Sequence, residues 1–176
     1  QGPYHMLANG LRQGEIDCFL GLMRKGPIHP ELIELPLLRA RYALIARADH
    51  PVHSYAKTLS DLVNERWIVA RHGTPIRDYF ESLFHSIDNK PPIQALEMLT
   101  FASSEELVIH SDAIALLFYD DWNINQLNPR LKQIPITLPQ PECTIGITLH
   151  RERQSAITQT FINELKITIQ HKLTSI

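Results

Sequence analysis

Short apolar runs of strand character alternate along this chain with segments whose apolar residues recur every three to four positions. That alternation limits the fold more than any other feature of the sequence. The strand-like runs include Ile16-Asp17-Cys18-Phe19-Leu20, Arg41-Tyr42-Ala43-Leu44-Ile45-Ala46-Arg47, Trp67-Ile68-Val69-Ala70 and the fully apolar stretch 113–118. The helical spacings are carried by Met6, Leu7 and Leu11, by Tyr79, Phe80, Leu83 and Phe84, and by Ile157, Phe161, Leu165 and Ile169, with these last four expected on one face of a long helix over 154–173. Strands alternating with helices build α/β units on a mixed or mostly parallel sheet. The alternation restarts at Trp67, which divides the chain into two lobes and returns it to the first lobe near its end.

Local punctuation sharpens the boundaries. Gly14 stands where a glycine would stop the first helix, and Leu22 to Pro30 reads as a loop. Strands are expected over 31–38 and again over 41–47, closed by Asp49-His50-Pro51 because the residue before proline is pushed out of the helical region. Thr58 with Asp61 fits a capping box, and so does Ser103-Ser104-Glu105-Glu106, which should open a helix running to about Ile109. Thr74-Pro75 is an N-cap followed by proline at the first helical position. Further strands are expected over 92–98, 131–138 and 143–150, and Asp120-Asp121 reads as a solvated helix start before Trp122.

The chain has 176 residues, 44% of them hydrophobic and 20% charged, the profile of a soluble globular protein able to bury a core. The formal net charge is −2, whereas gripping DNA calls for a basic excess that displaces counterions from phosphates. DNA contact within these residues is therefore not expected. Cys18 and Cys143 lie far apart without flanking motifs and read as two buried thiols in a reducing cytosol. No stretch approaches the ~20 apolar residues that span a bilayer, and the opening residues lack the pattern of a signal peptide.

Motifs for bond chemistry are missing. His50 and His53 are separated by Pro51 and share no helix face, no His-Glu-x-x-His occurs, and neither cysteine has a Cys-x-x-Cys partner. Ser103, Ser104 and Ser155 lack a nucleophile elbow, and no glycine-rich phosphate loop is present. The expectation is a protein that is not an enzyme and that carries no metal and no cofactor.

Several short motifs, taken in order, resemble one family. Leu11-Arg12-Gln13-Gly14-Glu15-Ile16-Asp17 resembles the helix-to-strand step of LysR-type effector-binding domains. Arg47-Ala48-Asp49-His50-Pro51 resembles their His-Pro turn, and Leu59-Ser60-Asp61-Leu62 before Trp67-Ile68 resembles their next helix and crossover strand. Residues 107–115 resemble a later step, with Ser111 and Ala113 where glycine is usual. Gln1-Gly2-Pro3-Tyr4 stands where the family has a Glu-Gly pair, with a tag scar over Gln1 to Pro3 as the alternative.

The resemblance implies a two-lobed α/β fold like that of periplasmic solute-binding proteins (type 2), with lobes joined by two crossover strands. Lobe I would comprise residues 1–67 and 148–176, and lobe II residues 68–147. It implies a cytoplasmic ligand-sensing domain of a transcription regulator, holding a sugar, an organic acid or an aromatic acid between the lobes. DNA would be reached only through an N-terminal domain absent from these residues. The other reading is a solute-binding protein of a transport system with the same fold.

Three segments qualify as cleft walls under the rule that ligands gather at sheet-end loops and helix N-termini. The first is Gly21, Leu22, Met23 and Arg24, which could equally be an ordinary surface loop. The second is His72, Gly73, Thr74 and Pro75, where capping already explains Thr74 structurally. The third is Thr100 and Phe101, with Ser103 only a cap. Arg39 and Arg41 flank a strand start; in some relatives an arginine near here meets an acidic effector, while exposed arginine is also the default. The resemblance further implies a homodimer, and a tetramer at full length, through Met6, Leu7 and Leu11 on one helix and Glu105 and Val108 on another. The alternative is that both helices simply cover their own sheet.

Overall fold

Helix α1 (Tyr4–Gln13) ends where the sequence places its glycine. Gly14 holds φ at +80°, a conformation that costs a side-chain-bearing residue more than it costs glycine. The Gly14 N–H donates to the Leu11 carbonyl at 3.3 Å and the Glu15 N–H to the Gly10 carbonyl at 2.8 Å, the paired bonds of a Schellman cap. This computed structural model describes residues 2, 4–24, 29–88, 90–92, 95–98, 101–120 and 127–174. They form two compact units, residues 1–40 with 143–176 and residues 41–142. The lobes expected from sequence had their boundaries at 67/68 and 147/148.

In the first unit, strand β1 (Cys18–Leu22) pairs antiparallel with β7 (Glu142–His150), which neighbours β2 (Leu32–Arg47). Helix α1 buries Ala8 and Leu11 against Leu32, with Tyr4, Ile16 and Phe19 alongside. Arg153 braces the helix end by donating to the Leu11 carbonyl at 3.1 Å. The last helix, α5 (Ala156–Thr174), lays Ile162 on Ile147 and Leu149.

The buried face of α5 overlaps the expected one in its second half, where Leu165 and Ile169 are half-buried, and departs from it in the first two turns. Thr158 and Ile162 point inward, while Ile157 is 83% exposed and Phe161 45%. Thr158 is satisfied locally: the Ser155 hydroxyl accepts the Thr158 N–H at 3.1 Å and bonds the Thr158 hydroxyl at 2.8 Å. A polar residue satisfied locally can be buried.

In the second unit the strand order is β6 (Leu131–Gln133), β2, β5 (Ala113–Tyr119), β3 (Arg66–Ala70) and β4 (Ala95–Met98). Strand β2 is antiparallel to both β5 (Ala113–Tyr119) and β6 (Leu131–Gln133). Strand β3 (Arg66–Ala70) runs parallel to β5 and to β4 (Ala95–Met98). Short α2 (Val52–Tyr55) and a 3-10 turn (Leu59–Leu62) follow the His-Pro step, and Thr58 and Asp61 form the expected capping box. Helix α3 (Pro75–His85) seats Phe80 and Phe84 on Trp67, with ring centroids 5.0 and 5.5 Å away. Across the sheet, α4 (Phe101–Ile109) packs Val108 and Ile109 with Ile45, Ile68 and Leu117.

Other expectations need correction. The two strands placed over 31–38 and 41–47 are one strand of 16 residues, because nothing between them breaks an extended backbone and Pro36 is exposed. The strand over 131–138 stops at Gln133, since Pro135 has no N–H for a ladder. Helix α4 starts at Phe101, so Ser103 and Ser104 lie inside it and do not open it. The helix start placed at Trp122 lies outside the described residues. The chain passes between the units twice, within β2 and at the start of β7.

Candidate functional site

The parallel strands β3, β4 and β5 all end at one edge of the second unit, and two features gather there. One is the turn after β3. Gly73 takes φ +78°, and Thr74 (φ −106°, ψ 146°) caps α3. The Thr74 hydroxyl donates to the Arg71 carbonyl at 2.8 Å and accepts the Arg77 N–H at 3.3 Å. Its hydrogen is thereby used and one lone pair remains.

A charged cluster stands behind the turn. Arg77 donates to Glu81 at 2.7 Å, to Glu97 at 3.3 Å, to the Ala70 carbonyl at 3.3 Å and to His72 Nε2 at 3.0 Å. With Arg77 donating to Nε2, a hydrogen on His72 Nδ1 faces Glu81, 3.3 Å away. Arg77 is nearly buried while His72 is 67% exposed, so the cluster anchors the turn from below and presents an imidazole above it.

The second feature is a depression of about 450 Å³, within the size range of small-molecule sites. Arg41 and Tyr42 of β2, Tyr119 at the end of β5, and Gln133, Pro135 and Thr137 line it. Along 133–138, Gln133, Pro135 and Thr137 are exposed, while Ile134, Ile136 and Leu138 are buried. The Tyr119 hydroxyl donates to Glu105 at 2.7 Å. Burial, and then that carboxylate, push the Tyr119 phenol well above its ordinary range, so it stays protonated at neutral pH. Sequence reading weighed Arg41 but missed this depression; the alternation in 133–138 was the available signal, and it was read as a strand.

The remaining candidates are placed as follows. Gly21 and Leu22 end β1, with Gly21 exposed and Leu22 half-buried. Met23 packs beside Gly146, and the Arg24 guanidinium lies 4.7 Å above the Tyr4 ring. Arg39 is an exposed residue of β2. Pro75 is the first residue of α3. Thr100 lies outside the described residues, and Phe101 opens α4. Of the residues expected at a dimer contact, Leu11 (1% exposed) and Val108 (0%) are buried in their own units' cores, and Glu105 receives Tyr119. Met6 is 62% exposed and Leu7 half-buried. Cys18 and Cys143 are not joined in a disulfide and are half-buried, not fully buried as expected. No group of three metal-ligating side chains occurs among the described residues, and no described helix is long and apolar enough to cross a membrane.

A family model described as LysR substrate binding domain matches residues 1–169. The chain belongs to that family. Among curated proteins this LysR domain is similar to the HTH-type transcriptional regulator GalR of Pseudomonas putida, at 26% identity over 84% of the chain and 37% of the relative. The Escherichia coli regulator YdcI is 28% identical over 62% of the chain and 36% of its own length. The chain thus spans little more than a third of the curated relatives it matches. Among solved structures it is similar to the effector-binding domain of QuiR in complex with shikimate, at 17% identity, TM-score 0.75, and 97% and 80% coverage of the two chains. The Synechocystis CcmR regulatory domain in complex with 2-PG gives 20% identity, TM-score 0.73, and 95% and 80% coverage. These two likenesses describe the fold, the mixed α/β architecture of LysR effector-binding domains.

Proposed function

We propose that this chain is the ligand-sensing domain of a bacterial transcription regulator, holding a small-molecule effector between two lobes and altering DNA binding by a segment outside these residues. The observation that carries this reading is the shared edge of β3, β4 and β5, where the capped turn at Thr74 follows β3 and the depression takes in Tyr119 at the end of β5. Open α/β sheets bind ligands at the carboxyl ends of their strands. The named regulators among the relatives, and the small molecules bound to QuiR and CcmR, support the same reading.

The effector acts by binding one arrangement of the protein better than another, and a few kcal/mol of difference is sufficient. No bond is made or broken, the protein works in the cytoplasm, and a second copy docks on α1 and α4, with Met6 at that contact. A thermal-shift screen of sugars, organic acids and aromatic acids tests the reading, because a ligand that prefers the native state raises its melting point. At least one class should raise it saturably, and mass spectrometry should recover that compound unchanged. A compound converted during incubation would instead point to an enzyme.

A further inference from the structure

We infer that residues 135–141 form a strap over β2 that opens and closes at its Pro141 foot, with the left-handed backbone of Gln140 as the strain that opens it. The strap is part of the wall of the depression, so its opening is an opening of the depression. The inference concerns the chain without ligand and does not rest on the sensing reading.

Two backbone bonds set the feet. The Ile134 N–H donates to the Leu44 carbonyl at 2.8 Å, and the Tyr42 N–H donates to the Pro141 carbonyl at 2.8 Å. Leu44 and Tyr42 are close neighbours on β2, yet the whole run from Pro135 to Gln140 lies between their partners, so that run arches away from the strand. Pro135, Pro139 and Pro141 have no N–H to give to a ladder, which keeps the arch from settling as one more strand. Ile136 and Leu138 turn inward from it and are buried. The arch and residues 41–43 of β2 both line the depression.

The Pro141 foot is under strain. Gln140 holds φ at +48°, where a Cβ crowds the following carbonyl oxygen and few residues other than glycine settle. It also precedes a proline, a position pushed towards extended backbone. Gln140 is exposed, so packing does not hold it there. The bonds on either side do: the Tyr42 N–H on Pro141, and the Tyr79 hydroxyl on the Pro139 carbonyl at 2.6 Å. Tyr79 is stacked on Tyr42, with centroids 4.3 Å apart, so one pair of tyrosines grips the strap at both prolines. Release of the foot lets Gln140 relax to extended backbone and gives both carbonyls to water. Strain of this kind persists where the surroundings over-determine it, and it collects at segments that switch.

The test is amide hydrogen exchange of the full chain, read residue by residue by NMR, with Gln140→Gly, Gln140→Val and Tyr79→Phe. The Tyr42 amide reports the foot, and the Ile45 amide, on β2 between β5 and β6, reports the sheet. In the wild type Tyr42 should exchange roughly tenfold or more faster than Ile45, at a rate indifferent to low urea, the mark of a local opening. Gln140→Gly should slow Tyr42 about fivefold, because glycine bears little penalty in the left-handed region though it loses more freedom on closing. Tyr79→Phe should speed it about fivefold by removing one closing bond. Gln140→Val should speed it too, because a β-branched residue fits that region worst. Continued protection of Ile45 shows that each variant is folded. Exchange of Tyr42 in step with Ile45, or a Tyr42 rate unmoved by Gln140→Gly and Tyr79→Phe, overturns the inference. Either result leaves the sensing function untouched, since no ligand takes part.

Discussion

Tyr42 and Tyr79 stack with centroids 4.3 Å apart, and the Tyr79 hydroxyl donates to the Pro139 carbonyl at 2.6 Å. One helix side chain thus joins β2 to the extended segment after β6. Tyr79→Phe keeps the stack and removes the bond, at an expected cost of about 1 kcal/mol. Tyr79→Ala removes both and should cost more, because aromatic pairs add roughly 0.5–1.5 kcal/mol beyond the area they bury. Urea denaturation of the two variants checks this. Equal midpoints would mean that the ring contributes nothing.

Gly146 shows how a backbone contact fixes a residue type. A Cβ built there would lie 2.7 Å from Met23 Cγ and 2.9 Å from the Leu35 carbonyl oxygen. The methionine can move aside and the strand carbonyl cannot. Gly146→Ala should therefore destabilise by roughly 1–3 kcal/mol, and Met23→Ala should rescue only part of the loss. Full rescue would assign the whole clash to the methionine.

His53 makes stability depend on pH. Its Nε2 lies 3.0 Å from the Arg47 carbonyl, and Nδ1 is buried without a partner among the described residues. Burial pushes the imidazole below its ordinary value of 6.5, against the pull of the Arg47 carbonyl. In the unfolded chain it takes up its proton at the ordinary value, so the unfolded state gains protons first as pH falls. The contribution is complete above 6.5 and is lost on acidification until the folded imidazole also protonates. Denaturation midpoints at about pH 7.5 and 5.5 should fall less in His53→Gln than in the wild type. Parallel losses would exclude His53 as the source.

Thr74→Ala separates capping from sensing. Loss of the cap should lower stability by about 1 kcal/mol. If the turn meets the effector, affinity measured by calorimetry falls by more than tenfold. Unchanged affinity in a folded variant would remove the turn from the site.

What could be read in the sequence was chiefly what local chemistry enforces. Gly14 as a helix stop, Thr58 with Asp61 as a capping box and Thr74-Pro75 as a helix start were all legible, because each depends on a few adjacent residues. What escaped depends on distant partners. The continuity of β2 is held by β5 and β6. The burial of Thr158 on α5 goes with a Ser155 hydroxyl bond that an apolar pattern does not show. The depression at Arg41 is assembled from β2, β5 and a proline-interrupted segment that sequence pattern presents as one more strand. Of the candidate site, the motif at 72–75 was visible, but its anchoring by Arg77, Glu81 and Glu97 was not, since Glu97 lies on another strand.

Calorimetric titration with the compound that stabilises this chain most in the screen decides whether it binds a small molecule reversibly. A single saturable transition is predicted, with the ligand recovered intact afterwards. Featureless heats from sugars, organic acids and aromatic acids alike, at millimolar concentrations, would contradict such binding.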